Sequence, residues 1–584
     1  MLQYLIKPKC LSHEWQVCLT LHNAENVPLQ IKLPNWVPGS YLIRDFSRHI
    51  VDIQATCNDV PKSLKQVSKN CWETPPERGE WQIYYTVYAY DLSVRGAFLT
   101  SERGFFDGAC LFLSVDGFET QPHKVLLDSL PDGWTVATTM PQIAPNRFQA
   151  ASYAELIDHP VELGRIETLT FEAGGIPHRI ALSGHYQSFN RERLVRDIQK
   201  ICSSQLGMFA GAAPFKEYLF LLHVGDDIYG GLEHTNSTAL LADRNSLPSE
   251  KMGEEADDAY IQLLGLFSHE YFHAWNVKSI KPEAFVPYQL DSESYTEQLW
   301  AFEGITSYYD DLFLVRSGVI RPQQYLNLLA KSITRVQQGF GRLKQTLAES
   351  SFTAWNKFYK QDENSTNAIV SYYQKGALVA LCLDLLLRSR SDGKTSLDDV
   401  MRALYRKWCE NGQGIPEGQW QVYCREITGL DLDDFFQTAL YSTKDLPLVQ
   451  CLFDAGVALN WLPLPRSHGG GFVTEAAKCE QATDFGAKFK QTEDGIVLTH
   501  VLSGGSAEQA ALSPKDKIIA LNGFACKDFE KQWRLLSVGD TLHIHYFRDG
   551  VLHETDLTVQ KAKPETAMLS IENEFLLKAW LQVS

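Results

Sequence analysis

The chain has 584 residues, enough for roughly three or four domains, and is 44% hydrophobic and 21% charged, near the soluble globular average. These proportions exclude a disordered chain, a collagen-like fibre and a disulfide-dense scaffold. With 54 basic against 71 acidic residues and a formal net charge of −17, the chain lacks the positive surface that nucleic acid or an anionic membrane demands.

The most apolar run, Gly376 to Leu387, is interrupted by Asp384 and falls short of the ~20 residues that cross a bilayer. Met1 to Leu21 has no basic segment followed by a continuous apolar one, so no signal peptide is expected. Twelve cysteines are scattered from Cys10 to Cys526 without C-x-x-C spacing. That pattern predicts buried, reduced thiols and a cytoplasmic location.

The first 170 or so residues alternate with the period of a strand. Trp15, Val17, Leu19 and Leu21 form one such series; Val27, Leu29, Ile31 and Leu33 a second; Trp81, Ile83, Tyr85, Val87 and Ala89 a third. Turn signals such as Val37-Pro38-Gly39-Ser40 separate them. A β-sandwich over 1–172 is the expected packing. Near residue 190 the period changes. Helices are predicted over 191–209, 257–275, 298–316, 322–338, 372–388 and 396–408, with a short strand at 218–223. Residues 442–471 read as a connector with Pro463, Pro465 and Gly469-Gly470-Gly471. A compact β-rich segment follows, and 563–584 reads as a tail.

One pentapeptide carries the chemistry. His269-Glu270-Tyr271-Phe272-His273 is H-E-x-x-H within a helical stretch. Histidines four apart share a helix face and can reach one zinc ion. Glu270, beside the first histidine, can take a proton from a water that the metal activates. A pair of surface histidines is the plain alternative. It is disfavoured because the helix is apolar nearly all round, and buried histidines with a glutamate need a partner to offset desolvation. A third protein ligand is expected. Glu293 lies in the polar stretch Asp291-Ser292-Glu293-Ser294; Glu303 lies in Gln298 to Tyr309, where apolar residues recur with helical spacing. A ligand on a buried helix is the better oriented, so Glu303 is preferred.

H-E-x-x-H with Trp275 two residues on, followed by Leu299-Trp300-x-x-Glu303-Gly304-x-x-Ser307-Tyr308-Tyr309, resembles the gluzincin metallopeptidases. Within them the chain most resembles the glycyl aminopeptidase family, whose members carry a PDZ domain. The resemblance implies a multidomain α+β protein. Its parts are an N-terminal β-sandwich (1–172), a mainly helical thermolysin-like zinc peptidase domain (173–455), a PDZ domain (472–562) and a tail (563–584).

Further roles come from the same resemblance. Gly230-Gly231-Leu232-Glu233-His234 is similar to the G-x-M-E-N strand of alanyl-type aminopeptidases. There the glutamate holds the substrate's free amine and the strand backbone, here Gly230 and Gly231, pairs with the peptide. This chain departs from that pattern at Leu232 and His234, and an ordinary turn with a surface glutamate is the alternative. Tyr373-Gln374-Lys375-Gly376-Ala377 resembles the Y-x-K-G-A helix start, which makes Tyr373 the oxyanion donor; a core tyrosine is the alternative. Asn35 to Tyr41, with Arg44, resembles the family's N-terminal domain and is assigned no chemistry. Gly495 to Leu498, Gly505 to Ala510 and Asp516 to Gly523 follow the order of a PDZ domain, with Phe485-Gly486-Ala487 as its carboxylate loop. It would take C-terminal peptides or serve as a structural cap.

The expected function is zinc-dependent removal of N-terminal residues, glycine or alanine preferred, from peptides with a free N-terminus. His269, His273 and Glu303 are the metal ligands, Glu270 the general base, Tyr373 the oxyanion donor and Glu233 the amine anchor. A zinc endopeptidase, and a PDZ-bearing interaction protein with an idle metal site, are the alternatives.

Overall fold

The computed structural model describes residues 1–474 and 482–583. They fold into two compact units. One is Met1–Ser294 with Ser317–Val319 and Leu404–Ile415; the other is Tyr295–Arg316, Ile320–Ala403 and Pro416–Ser584.

The first unit opens with a β-rich region. In strand Glu14–Asn23 the residues Trp15, Val17, Leu19 and Leu21 are buried in alternation, as are Trp81, Ile83, Tyr85 and Val87 in strand Gly79–Tyr88. The two strands pair antiparallel with Trp15 opposite Val87 and Leu21 opposite Trp81. The period of two therefore sets both apolar series on one face. These strands lie inside an eight-stranded sheet, and two four-stranded sheets complete the region. The series predicted from Val27 to Leu33 shortens to Gln30–Lys32. Pro28 has no N–H for the ladder, and Val27 is exposed.

A five-stranded sheet follows in the order Glu167–Ala173, Ile176–Gly184, Tyr218–Gly225, Ser237–Asp243, Gly230–Glu233. Its inner pairings are parallel, and Gly230–Glu233 lies antiparallel at one edge. The sheet divides two cores by alternation. Leu219, Leu221 and Leu232 join the apolar core of the β-rich region. Phe220, from the opposite face, packs its ring 4.9 Å from Phe267 and 5.8 Å from Tyr271 of helix Asp258–Phe272. Buried on both sides, Tyr218–Gly225 reads as a continuous apolar run.

The second unit contains most of the helices. Residues 298–316, predicted as one helix, form a π-helical turn, Trp300–Gly304, that runs into helix Ile305–Arg316. Helix Gln374–Arg390 crosses it at two glycines. A Cβ on Gly304 would lie 2.5 Å from the Gly376 Cα and 2.9 Å from the Tyr372 carbonyl oxygen. A buried polar network ties neighbouring elements to this pair. Asp384 accepts from the Tyr308 hydroxyl at 2.7 Å and from the Leu397 N–H at 2.8 Å.

Two stretches are more ordered than their composition suggests. The expected connector, 442–471, contains helix Leu448–Asp454 and strand Val457–Leu462. The expected tail contains strand Thr566–Ile571 and helix Glu574–Leu581, whose Trp580 indole donates to the Tyr308 hydroxyl at 3.1 Å. Strand Thr566–Ile571 lies between Val457–Leu462 and Gly471–Phe472 in a three-stranded sheet. The β-rich segment between them has its own core, including Ile496, Leu498, Ile518, Phe529, Ile544 and Leu557.

The glycine crossing makes a testable demand. Gly304→Ala should destabilise the second unit by about 1–3 kcal/mol, the usual cost of overpacking. Differential scanning calorimetry should show a lowered unfolding temperature, and an unchanged transition would refute the tight crossing.

Candidate active site

The first unit carries the H-E-x-x-H motif on helix Asp258–Phe272. Its start is fixed by the Asp257 carboxylate, which accepts the Tyr260 N–H at 2.9 Å, a standard cap. Its apolar residues are buried nearly all round, so the motif at its end is carried on a rigid support. His269 and Glu270 occupy the last turn, and His273 follows with helical backbone angles.

The donor set fits a zinc ion. The Nε2 atoms of His269 and His273 lie 3.0 Å apart. That is near the roughly 3.3 Å edge of a tetrahedron with Zn–N bonds of about 2.0–2.1 Å. The Asn276 carbonyl oxygen lies 2.7 Å from His273 Nδ1. A carbonyl only accepts, so Nδ1 carries the proton and Nε2, facing His269, is left with its lone pair, the arrangement a metal-binding histidine needs.

Glu270 is buried, and its Oε2 accepts no hydrogen bond among the described residues. Burial pushes its carboxyl above the usual range, with His269 and His273 pulling the other way and Glu233 adding to the rise. The edge strand is shaped to admit it. A Cβ on Gly231 would stand 1.9 Å from Glu270 Oε1, so only glycine lets this carboxylate lie against the strand. Alternation then gives each residue of Gly231-Leu232-Glu233 its side. Leu232 points into the β-rich core, while Gly231 meets Glu270 and Glu233 joins the acidic cluster. Carboxylate oxygens of Glu233 and Glu270 and a ring nitrogen of His273 all lie within 4.8 Å of one another.

Several residues around Glu233 carried no functional signal in the sequence. Gly39, in a turn with φ +94°, backs directly onto the carboxylate; a Cβ there would lie 2.6 Å from Glu233 Oε1. Arg95 donates from Nη2 to the Gly231 carbonyl at 2.6 Å. His234 Nδ1 lies 3.2 Å from Asp158 Oδ1, and Lys278 Nζ donates to the same oxygen at 2.6 Å. Burial alone would raise the Asp158 carboxyl, but Lys278 and His234 hold it well below the usual range. His234, where the resembling strand has asparagine, is thus the tie between the edge strand and a largely shielded ion pair. Gly39 and His234 lay in segments with a recognisable motif; Arg95 and Lys278 are isolated cations in the sequence.

The second unit brings Glu303 and the tyrosines together. Glu303 is 1% exposed in the π-helical turn, a feature frequent at functional sites. Tyr372 is fully buried, and its hydroxyl is held well above the usual range by burial, then by Tyr359 and Glu303. Tyr373 is only half-buried, and its hydroxyl lies 3.2 Å from that of Tyr359. Of the two tyrosines, Tyr373 is the one that is not fully buried. Tyr359 was not anticipated. The rejected candidate Glu293 sits half-buried in a stretch without regular structure.

A buried H-E-x-x-H helix beside an edge strand bearing a second glutamate is the site of a metallopeptidase. The family comparison names the group. The model for the M61 glycyl aminopeptidase matches residues 262–379, and that for the peptidase M61 N-terminal domain matches 3–165. The crystal structure of an aminopeptidase N family protein from Idiomarina loihiensis is 40% identical, with a TM-score of 0.95 over 100% of both chains. The chain belongs to the M61 glycyl aminopeptidase family, and it is a zinc metallopeptidase. More remote similarity extends to an M1 zinc metallopeptidase from Deinococcus radiodurans (13% identity, TM-score 0.46, 76% of this chain and 94% of that one). Aminopeptidase A from Legionella pneumophila gives 13% and 0.48, over 75% of this chain and 49% of that one. No curated protein matches the chain in sequence. No helix among the described residues is long and apolar enough to cross a membrane.

The close approach at Gly231 yields a test. Gly231→Ala should displace Glu270 by an ångström or more and lower kcat/KM about 100-fold, with metal content unchanged. Full activity with alanine at 231 would contradict the packing of Glu270 against the strand.

Proposed function

We propose that the protein is a zinc-dependent aminopeptidase that removes single N-terminal residues, glycine and alanine preferred, from peptides. His269, His273 and Glu303 hold the metal. Zinc held there would supply Lewis-acid chemistry, polarising the scissile carbonyl and lowering the pKa of water toward about 7. Glu270 takes the proton of the attacking water and passes it to the departing amine. The Tyr373 hydroxyl donates to the developing oxyanion, a contribution of about 3–4 kcal/mol for a well-placed donor. Glu233 binds the free α-amine, and the edge strand at Gly230 and Gly231 aligns the substrate backbone.

The observation that carries the exopeptidase reading is the nearness of Glu233 to Glu270 and His273, within 4.8 Å. A buried carboxylate that close to the reacting centre leaves length for about one residue between a bound amine and the scissile bond. The small-residue preference rests on the family alone. The described cysteines are all free thiols, which supports a reducing, cytoplasmic setting.

For the segment after residue 472 we retain the PDZ reading, with an extended C-terminal peptide as ligand. A cavity of about 840 Å³, lined by Phe485, Phe489 and Trp533 on the segment itself and by Arg335, Gln338 and Arg466 outside it, offers room for such a peptide. Phe485-Gly486-Ala487, whose Phe485 and Ala487 line that cavity, is the proposed carboxylate loop.

The deciding experiment compares hydrolysis of an alanine- or glycine-initiated peptide with that of its N-acetylated twin, each with and without chelator. Cleavage of the free peptide alone, abolished by chelator, is expected; equal cleavage of both would make the enzyme an endopeptidase. Glu270→Gln should retain zinc and lose at least ~100-fold in turnover, the upper part of the range for a general base. Glu303→Ala should release zinc, whereas Glu293→Ala should not; the reverse result would reassign the third ligand.

A further inference from the structure

The hairpin Thr541–Arg548 and Val551–Thr558 carries a group of side chains that the peptidase reaction does not use. His543 and His545 are two apart on one strand and so share a face. The antiparallel register sets Asp556 opposite His543 and Glu554 opposite His545, on that same face. His543 Nε2 lies 3.5 Å and His545 Nε2 3.8 Å from Glu554 Oε2, and the two rings stand 4.8 Å apart and nearly perpendicular.

We propose that His543, His545 and Glu554 form a second metal site, for zinc or a similar late divalent transition ion, on the C-terminal β segment. Three observations support it. The ligand atoms already lie within 4.8 Å of one another. The two nitrogen–oxygen separations are close to the roughly 3.3 Å edge of a tetrahedral zinc site, so side-chain shifts of a few tenths of an ångström complete the geometry. Asp556 Oδ1 lies 2.7 Å from His543 Nδ1, forming the carboxylate–histidine pair that fixes the tautomer and turns Nε2 toward a metal. Two imidazoles and one carboxylate suit zinc rather than calcium or magnesium, which take oxygen. Water would complete the coordination. Such an ion would clamp the edge strand Val551–Thr558 to its neighbour; no catalysis is assigned to it.

The test is metal stoichiometry on the full chain. The protein is equilibrated with zinc chloride at about 10 μM, freed of unbound metal by rapid gel filtration, and its zinc is measured by plasma mass spectrometry. Wild type should hold about two equivalents. His543→Ala/His545→Ala should hold about one, with hydrolysis of the alanine-initiated peptide unchanged. An equal zinc content in wild type and variant overturns the proposal and leaves the cluster an ion-pair network only. If the double variant fails to fold, Glu554→Gln is read instead. It should weaken zinc binding at this site at least ~10-fold by calorimetric titration, and an unaltered isotherm would overturn the proposal.

Discussion

A carboxylate buried against a peptide strand is the constraint on which the catalytic centre depends. Glu270 sits close to two imidazoles and away from bulk water, with its Oε2 accepting no hydrogen bond among the described residues. The protein meets this by letting the helix lie against the edge strand where residue 231 has no side chain. The alternating sides of the strand then place Leu232 in one core and Glu233 beside the site. Three consecutive positions thereby do three things: Gly231 leaves clearance, Leu232 anchors the strand and Glu233 faces the acidic cluster. Their order follows from strand geometry.

The same unit supplies a hard electrostatic floor beneath the site. Asp158 is half-buried yet kept ionised because Lys278 and His234 face it, and His234 follows Glu233 directly. An ion pair of this kind contributes little to net stability once desolvation is counted. Its effect here is on direction: it fixes the end of the edge strand, and with it the position of the acidic cluster. The turn at Gly39 works from the other side, backing its Cα against Glu233.

Much of this was legible in the sequence where a single element carries the pattern. Alternation identified the strands at Trp15 and Trp81, and the 3.6-residue period identified the helix bearing His269 and His273. The apolar helical series that led to Glu303 being preferred over Glu293 is a buried π-helical turn in the structure. What escaped were relations between distant segments. Nothing local marks Arg95 as the partner of the Gly231 carbonyl, or Lys278 as that of Asp158, because each depends on the pairing of separate elements. The stretch 442–471 read as a connector because prolines and glycines dominate its later part. The strand within it is stabilised by a partner, Thr566–Ile571, about a hundred residues away, which no local window contains.

That partnership has a consequence for biosynthesis. The middle strand of the three-stranded sheet is the last of the three to leave the ribosome, since both of its neighbours precede it in the chain. The earlier strands must therefore wait, unpaired with each other, while the intervening β segment emerges and folds around its own core. Closing that sheet is a late, long-range event with the loop entropy such contacts carry. Until then the docking place of Trp580 on Tyr308 stays unfilled, and the nascent protein depends on the folded segment between them to keep the two ends within reach.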